Sequence, residues 1–84
     1  MGKMKQLEKN VVLSTKLAEY IASNPSATKG VPAGASFVVF SSSDDQLNKL
    51  NQELVKSLKN EGKKVIKAEE NENKKQPWSF SLAV

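Results

Sequence analysis

A short run of hydroxyl and carboxylate side chains contains the residues whose types and spacing could bind a ligand. The run follows the apolar segment Ser36 to Phe40 and precedes a helical pattern. In open sheets with parallel strands, ligands bind beyond the carboxyl ends of the strands. Hydroxyls and free N–H groups at the start of a helix can bind phosphate there. The sequence therefore offers one candidate ligand-binding set: Ser41, Ser42, Ser43, Asp44 and Asp45.

Helix capping is the alternative interpretation of the same run, and we favour it. Ser43 is a preferred N-cap residue, Gln46 completes a capping box, and two aspartates complement the positive end of the helix dipole. The run has no glycine for close approach to a phosphate, and Asp44 and Asp45 repel an anion. A divalent cation needs more carboxylates than these two, and adjacent residues of a helix point in different directions. We therefore predict no metal site and no cofactor.

The composition excludes the common catalytic machinery. The chain has no cysteine and no histidine, so thiolate nucleophiles, imidazole bases and the usual transition-metal ligands are missing. All 13 basic residues are lysines, spread along the chain, whereas arginine makes the bidentate contacts that read guanine or clamp phosphate. We predict that the protein is not an enzyme and does not recognise a nucleic-acid sequence.

The candidate run lies inside a pattern typical of a βαβ unit. The apolar segment Ser36 to Phe40 predicts a buried strand, and a helix follows as far as Asn60. Gly62 ends that helix, and a second strand spans Lys63 to Ala68. Two strands joined in this way lie parallel with a right-handed crossover. The lysines that flank the second strand favour a position near the sheet edge.

The N-terminal segment predicts a first helix from Met4 to Asn24, which ends at Pro25. Its apolar residues form one stripe and a second stripe beside it. The stripes consist of Met4, Leu7, Val11, Ala18 and Ile21, and of Leu13, Leu17 and Tyr20. A stripe this broad fits either a wide core-facing helix, which we favour, or a helix shared with a partner.

The C-terminal segment alternates apolar and small polar residues from Trp78 to Val84, which predicts a third strand. The connection to the second strand is polar, and residues 70–76 are predicted to be a mobile loop. Because this connection is too short for a helical crossover, the third strand should run antiparallel. The fold class is therefore α/β: one domain over residues 1–84, in the order α-β-α-β-β, with two helices and a three-stranded mixed sheet.

Four segments of the chain resemble a small bacterial family of α/β domains whose function is uncharacterised. The segments are Leu17 to Pro25, Val31 to Ala35, Asp44 to Asn48 and Glu61 to Val65, and the resemblance spans Leu13 to Ile66. The resemblance implies the same α/β fold and a bacterial source. It brings no activity and no functional residues to this sequence.

Self-association is the function that these patterns favour. The first strand is apolar on both faces, so we expect two helices to cover one sheet face and a two-fold homodimer to cover the other. The alternative is a compact monomer whose N-terminal helix covers the second face. The predicted interface residues are Val38, Trp78, Phe80 and Leu82. We thus predict a soluble, cytoplasmic, non-enzymatic module that binds itself or another protein, without membrane association. Two alternatives remain open: a weak polyanion or nucleic-acid binder acting through lysines, and a small-ligand or phosphate-binding domain acting through Ser41 to Asp45.

Overall fold

A computed structural model gives the fold of residues 1–83, and Val84, at the end of the predicted third strand, lies outside the described residues. The helices and strands follow the predicted order. They are α1 (Lys3–Ser23), a short 3₁₀ helix (Pro25–Thr28), β1 (Ser36–Phe40), α2 (Asp45–Asn60), β2 (Val65–Glu70) and β3 (Trp78–Leu82). The predicted α/β class with two helices and a three-stranded mixed sheet is confirmed.

The three strands are ordered β1-β2-β3. Strand β1 pairs parallel with β2, with Ser36 opposite Val65, and β3 pairs antiparallel with β2, with Phe80 opposite Ala68. Strand β2 is therefore central, and its predicted position near the sheet edge is wrong. A lysine fits in this central strand because the ammonium of Lys67 lies 4.8 Å from the centre of the Phe40 ring, a cation–π arrangement.

The end of α2 follows the predicted glycine stop. Gly62 has a φ of +80°, in the left-handed region that glycine adopts readily. Its N–H donates to the carbonyl of Lys59 at 2.9 Å, and the N–H of Lys63 donates to the carbonyl of Leu58 at 3.1 Å. This pair of bonds is a Schellman motif, which satisfies the last carbonyls of the helix and turns the chain into β2.

Both faces of the sheet are covered within one chain. On one face, α1 contributes to a core cluster that consists of Leu13, Leu17, Val39, Leu47, Ala68 and Trp78. On the other face, α2 packs through Val55 onto Val38, Phe40 and Val65. The expectation that two helices would cover only one sheet face is therefore wrong: α1 packs on one face, and α2 packs on the other face while also adding Leu47 to the α1 side. Phe37, on the α1 side, remains 39% exposed.

A buried amide joins the two helices to the edge of β1. Asn51 of α2 is completely buried, and its Nδ2 donates to the carbonyl of Val39 at 2.8 Å. The N–H of Ser36 donates to Lys64 O on the β2 side, so the backbone N–H and C=O of Val39 point away from β2, toward the outer edge of the sheet. Gln6 and Asn10 of α1 complete the hydrogen bonding of the Asn51 amide.

The connection between β2 and β3 is held by hydrogen bonds of one residue. Asn71 donates its backbone N–H to Pro77 O at 2.7 Å and its side-chain amide to Gln76 O at 3.1 Å and Ser79 Oγ at 2.7 Å. The predicted loop over residues 70–76 begins one residue later, because Glu70 belongs to β2. No helix within residues 1–83 is long and apolar enough to cross a membrane.

Candidate functional site

The loop from Ser41 to Asp45 connects β1 to α2 and is held in place by hydrogen bonds within the chain. The hydroxyl oxygen of Ser41 accepts hydrogen bonds from the N–H groups of Ser43 and Asp44, both at 3.1 Å. The backbone of Ser41 forms two bonds with the Asn48 side chain, at 2.7 and 2.9 Å. The loop is therefore fixed by a hydroxyl at its start and an amide in the first turns of the helix.

Asp44, not Ser43, caps α2. A carboxylate oxygen of Asp44 accepts from the N–H of Leu47 at 3.0 Å, and the helix begins at Asp45. The prediction that Ser43 forms the cap with Gln46 is wrong by one residue. The Ser43 N–H, which Gln46 would accept in a capping box, is bonded to the hydroxyl oxygen of Ser41, and the helix starts one residue later, after Asp44.

The second carboxylate oxygen of Asp44 binds α1. It lies 2.6 Å from the ammonium of Lys9, an ion pair between residues far apart in the sequence. The hydrogen bond from Lys9, followed by that from the Leu47 N–H, lowers the pKa of Asp44 below its usual value of 3.8. Asp44 therefore has two structural partners, one for each oxygen.

The groups that an incoming anion would need are already bonded within the chain. Ser42 gives its N–H and its hydroxyl to the carboxylate of Glu70, both at 3.2 Å. The carboxylates of Glu70 and Asp44 therefore lie where a phosphate would bind. Asp45 is exposed in the first turn of α2, and residues 1–83 contain no group of three or more carboxylate, imidazole or thiolate side chains that could hold a metal ion.

The four predicted interface residues differ in accessibility. Val38 and Trp78 are only 3% and 4% exposed, inside the two core clusters. Phe80 is half-buried and packs edge-to-face with Phe37, at 6.1 Å between ring centres. Leu82 is 54% exposed. Of these four residues, Phe80 and Leu82 offer apolar surface to a partner, whereas Val38 and Trp78 are covered within the chain.

Phe80 and Leu82 border an open groove of about 510 Å³. Its wall opposite β3 is the loop after α1, from Ala27 to Pro32. Tyr20 and Trp78 contribute aromatic surface, and Lys29 is the charged residue in the lining. The groove is an apolar trough with a single cation and contains no candidate general base.

The largest apolar surface outside the core lies on α1. Met4, Leu7, Val11 and Val12 are between 56% and 72% exposed. Leu13 and Leu17, in the second predicted stripe, face the core as expected, whereas Met4, Leu7 and Val11 of the first stripe do not. The first stripe of α1 therefore points away from the sheet over its N-terminal half, and the outer surface continues through Ser14, Thr15 and Ala18.

A comparison with protein-family models matches residues 5–76 to a family of unknown function, DUF5647. The chain belongs to this family. The match covers most of the domain and stops before β3, and it extends beyond both ends of the stretch from Leu13 to Ile66 that carried the resemblance. Neither curated proteins nor solved structures give a match.

The orientation of α1 was missed by sequence reasoning. The apolar face of α1 was interpreted as core-facing because its three- and four-residue spacing is regular. The alternate stripe formed by Gln6, Asn10, Leu13, Leu17 and Tyr20 has the same spacing. The amides of Gln6 and Asn10 in this stripe could have indicated that it faces the core. Asn51 lies among the apolar residues between Leu47 and Val55, and a buried amide there needs polar partners.

Proposed function

We propose that this chain is a non-enzymatic protein-binding module whose contact surface is the exposed apolar face of α1. The single observation that carries the proposal is the cluster of large apolar side chains on that face, Met4, Leu7, Val11 and Val12, all more than half exposed. An apolar patch of this kind on a small domain marks a surface for another protein. A cytoplasmic location, predicted from the sequence, is part of the proposal.

The chemistry of the remaining surface supports a binding role over a catalytic one. The sequence has neither histidine nor cysteine. Ser42 donates its N–H and its hydroxyl to Glu70, and Asp44 accepts from the Leu47 N–H at the start of α2, so a phosphate would have to displace two carboxylates. This arrangement disfavours the phosphate-binding alternative and leaves the loop a structural role.

The lysines support the same conclusion. Within residues 1–83, five of the 13 lysines have a carboxylate oxygen within 4.0 Å: Lys9, Lys16, Lys56, Lys63 and Lys67. Paired lysines add little to a continuous positive field, on which sequence-independent binding of nucleic acid depends. A polyanion-binding role is therefore the weaker alternative.

A photo-crosslinking experiment tests the proposal. Benzoylphenylalanine replaces Val11 on α1 or, as the control, Glu53 on the exposed side of α2, and both proteins are irradiated when purified and in the producing cells. We expect adducts to a protein from position 11 that mass spectrometry identifies, and we expect Leu7→Lys to abolish them. No adduct from position 11 above the level of position 53, in either setting, would overturn the proposal.

A further inference from the structure

The exposed face of α1 is divided by side-chain size. Its N-terminal half carries the large residues Met4, Leu7 and Val11, and its C-terminal half carries the small residues Ser14, Ala18 and Ala22. All of them are exposed. A helix surface with large residues at one end and small ones at the other is complementary to itself when two copies run antiparallel, because each large side chain then meets a gap between small ones.

The charged residues beside this face are arranged symmetrically along the helix. One row along α1 contains Lys5, Glu8, Val12, Lys16 and Glu19, at helical spacings of three and four residues. The row is symmetric about Val12, and each pair of residues equally distant from Val12 has opposite charges. Lys5 matches Glu19, and Glu8 matches Lys16.

We infer that the partner of α1 is a second copy of this chain, docked antiparallel through α1 across a two-fold axis at Val12. The inference rests on the proposed function and specifies its partner. In this arrangement Lys5 lies opposite the partner subunit's Glu19, and Glu8 lies opposite the partner subunit's Lys16. A parallel pair would instead place Lys5 opposite the partner subunit's Lys5. A two-fold axis repeats every contact, so the dimer contains four interchain ion pairs.

The same register fits the apolar residues. Met4 falls between Ala18 and Ala22 of the partner subunit, and Leu7 falls between its Ser14 and Ala18. Helix α1 has 21 residues, so the contact is about 30 Å long at 1.5 Å per residue. One helix pair is a small interface, so we expect a reversible dimer with a dissociation constant on the order of micromolar.

Charge reversal gives the sharpest test, and Lys5 and Glu19 are the pair to use. Lys16 already lies 3.7 Å from Glu70 in its own chain, whereas neither Lys5 nor Glu19 has an ion pair within residues 1–83. Lys5→Glu and Glu19→Lys each place two like-charged pairs in the dimer. Both changes suit the dipole of α1, since an acid near its start and a base near its end stabilise a helix, so a weakened dimer would not reflect unfolding.

Sedimentation velocity on the full chain measures the result. Wild-type protein should sediment as a dimer at 100 μM, each variant alone should have a dissociation constant roughly tenfold higher, and an equimolar mixture of the two variants should regain the wild-type dimer. In a pair that is antiparallel about Val12, each variant alone weakens the dimer and the mixture restores opposite charges at both sites. In a parallel pair each variant alone would only exchange one like-charged pair for another, so neither variant would weaken the dimer. The matched control is Lys56→Glu, which breaks the 3.5 Å pair with Glu53 on α2 and should leave the dimer unchanged.

Three outcomes would overturn the inference, and they bear differently on the proposed function. A wild-type monomer at 100 μM excludes the second copy, while crosslinking from position 11 still decides whether α1 binds another protein. A dimer that Val11→Lys dissociates but the mixed variants do not restore keeps α1 as the contact surface in another register. A dimer that survives Val11→Lys and dissociates on Leu54→Lys would place the contact on α2, which contradicts both this inference and the proposed function.

Discussion

Asn10 and Asn51 exchange two hydrogen bonds across the junction of the helices. The amide of Asn10 donates to Asn51 Oδ1 at 3.1 Å, and the amide of Asn51 donates to Asn10 Oδ1 at 2.8 Å. Asn51 gives its second hydrogen to Val39 O and accepts a second bond from Gln6, so its amide is fully satisfied. This one side chain links α1, α2 and the outer edge of β1.

Replacing Asn51 should therefore be costly. Asn51→Ala leaves the Val39 carbonyl and the Asn10 amide without partners in a dry site, and we expect the free energy of unfolding to fall by about 3 kcal/mol. Urea denaturation followed by circular dichroism measures the loss. Gln46→Ala, an exposed amide on the same helix, is the control and should change stability by less than about 0.5 kcal/mol. Similar losses for both variants would contradict a special role for the buried amide.

In the Asn10–Asn51 pair, a double-mutant cycle should show strong coupling. Once Asn51→Ala has removed the partner, adding Asn10→Ala should cost much less than Asn10→Ala alone, because the two amides satisfy each other. The four unfolding free energies of the cycle give the coupling. Additive losses would mean that water replaces each partner at no cost.

Acid should weaken the contribution of Asp44. Its pKa is lower in the folded protein than the usual 3.8, because Lys9 and the Leu47 N–H stabilise the carboxylate. A group with a lowered folded pKa stabilises the protein above its unfolded pKa and loses that contribution as the pH falls through the folded value. The melting temperature of the wild type should therefore exceed that of Asp44→Asn at neutral pH, and the two should converge as the pH falls through the lowered pKa of Asp44. Ser43→Ala, next to the true cap, should not show this pH-dependent difference.

Two leucines on α2 provide a matched packing test. Leu47 is 1% exposed and contacts both α1 and the sheet, whereas Leu54 is 40% exposed. Leu47→Ala should lower the free energy of unfolding by about 3 kcal/mol. Leu54→Ala should lower it by under about 1 kcal/mol, because its side chain keeps much of its contact with water. Thermal melts of the two variants at the same protein concentration give the comparison.

Ions should not stabilise the loop after β1. Neither 5 mM magnesium nor 10 mM phosphate should raise the melting temperature, since the oxygens of Asp44 and the N–H groups of Ser42 and Ser43 are already engaged. A rise with either ion that disappears in Asp45→Asn would show that the loop opens to bind it.

The sequence predicts the sheet better than it predicts the orientation of α1. The continuous apolar run from Ser36 to Phe40 and the two-residue alternation from Trp78 predict strands, and Gly62 marks the end of α2. The order of the elements along the chain follows from these signals, whereas the central position of β2 does not. The face that α1 presents to the core depends instead on Gln6 and Asn10. Amides on a helix are ordinarily solvent-exposed, and only their distant partner Asn51 buries them.

The cap of α2 shows a second limit of local patterns. Ser43 and Gln46 have the spacing of a capping box, yet the hydroxyl of Ser41, two residues earlier, takes the N–H of Ser43. Lys9, which lies on α1 and far from this segment in the sequence, forms an ion pair with Asp44. The candidate ligand set was correctly placed at the carboxyl end of β1, but contacts with α1 and with Glu70 of β2 decide what its groups are free to do.

The bond from Asn51 to the Val39 carbonyl also limits how far sheets of this protein can polymerise. A foreign strand that paired along β1 would have to displace a buried amide with four hydrogen bonds. Growth by strand addition is thus confined to the β3 side. Two sheets joined at β3 would have β1 as both outer edges. Asn51 blocks further strand pairing at each of these edges, so such an assembly stops at two copies.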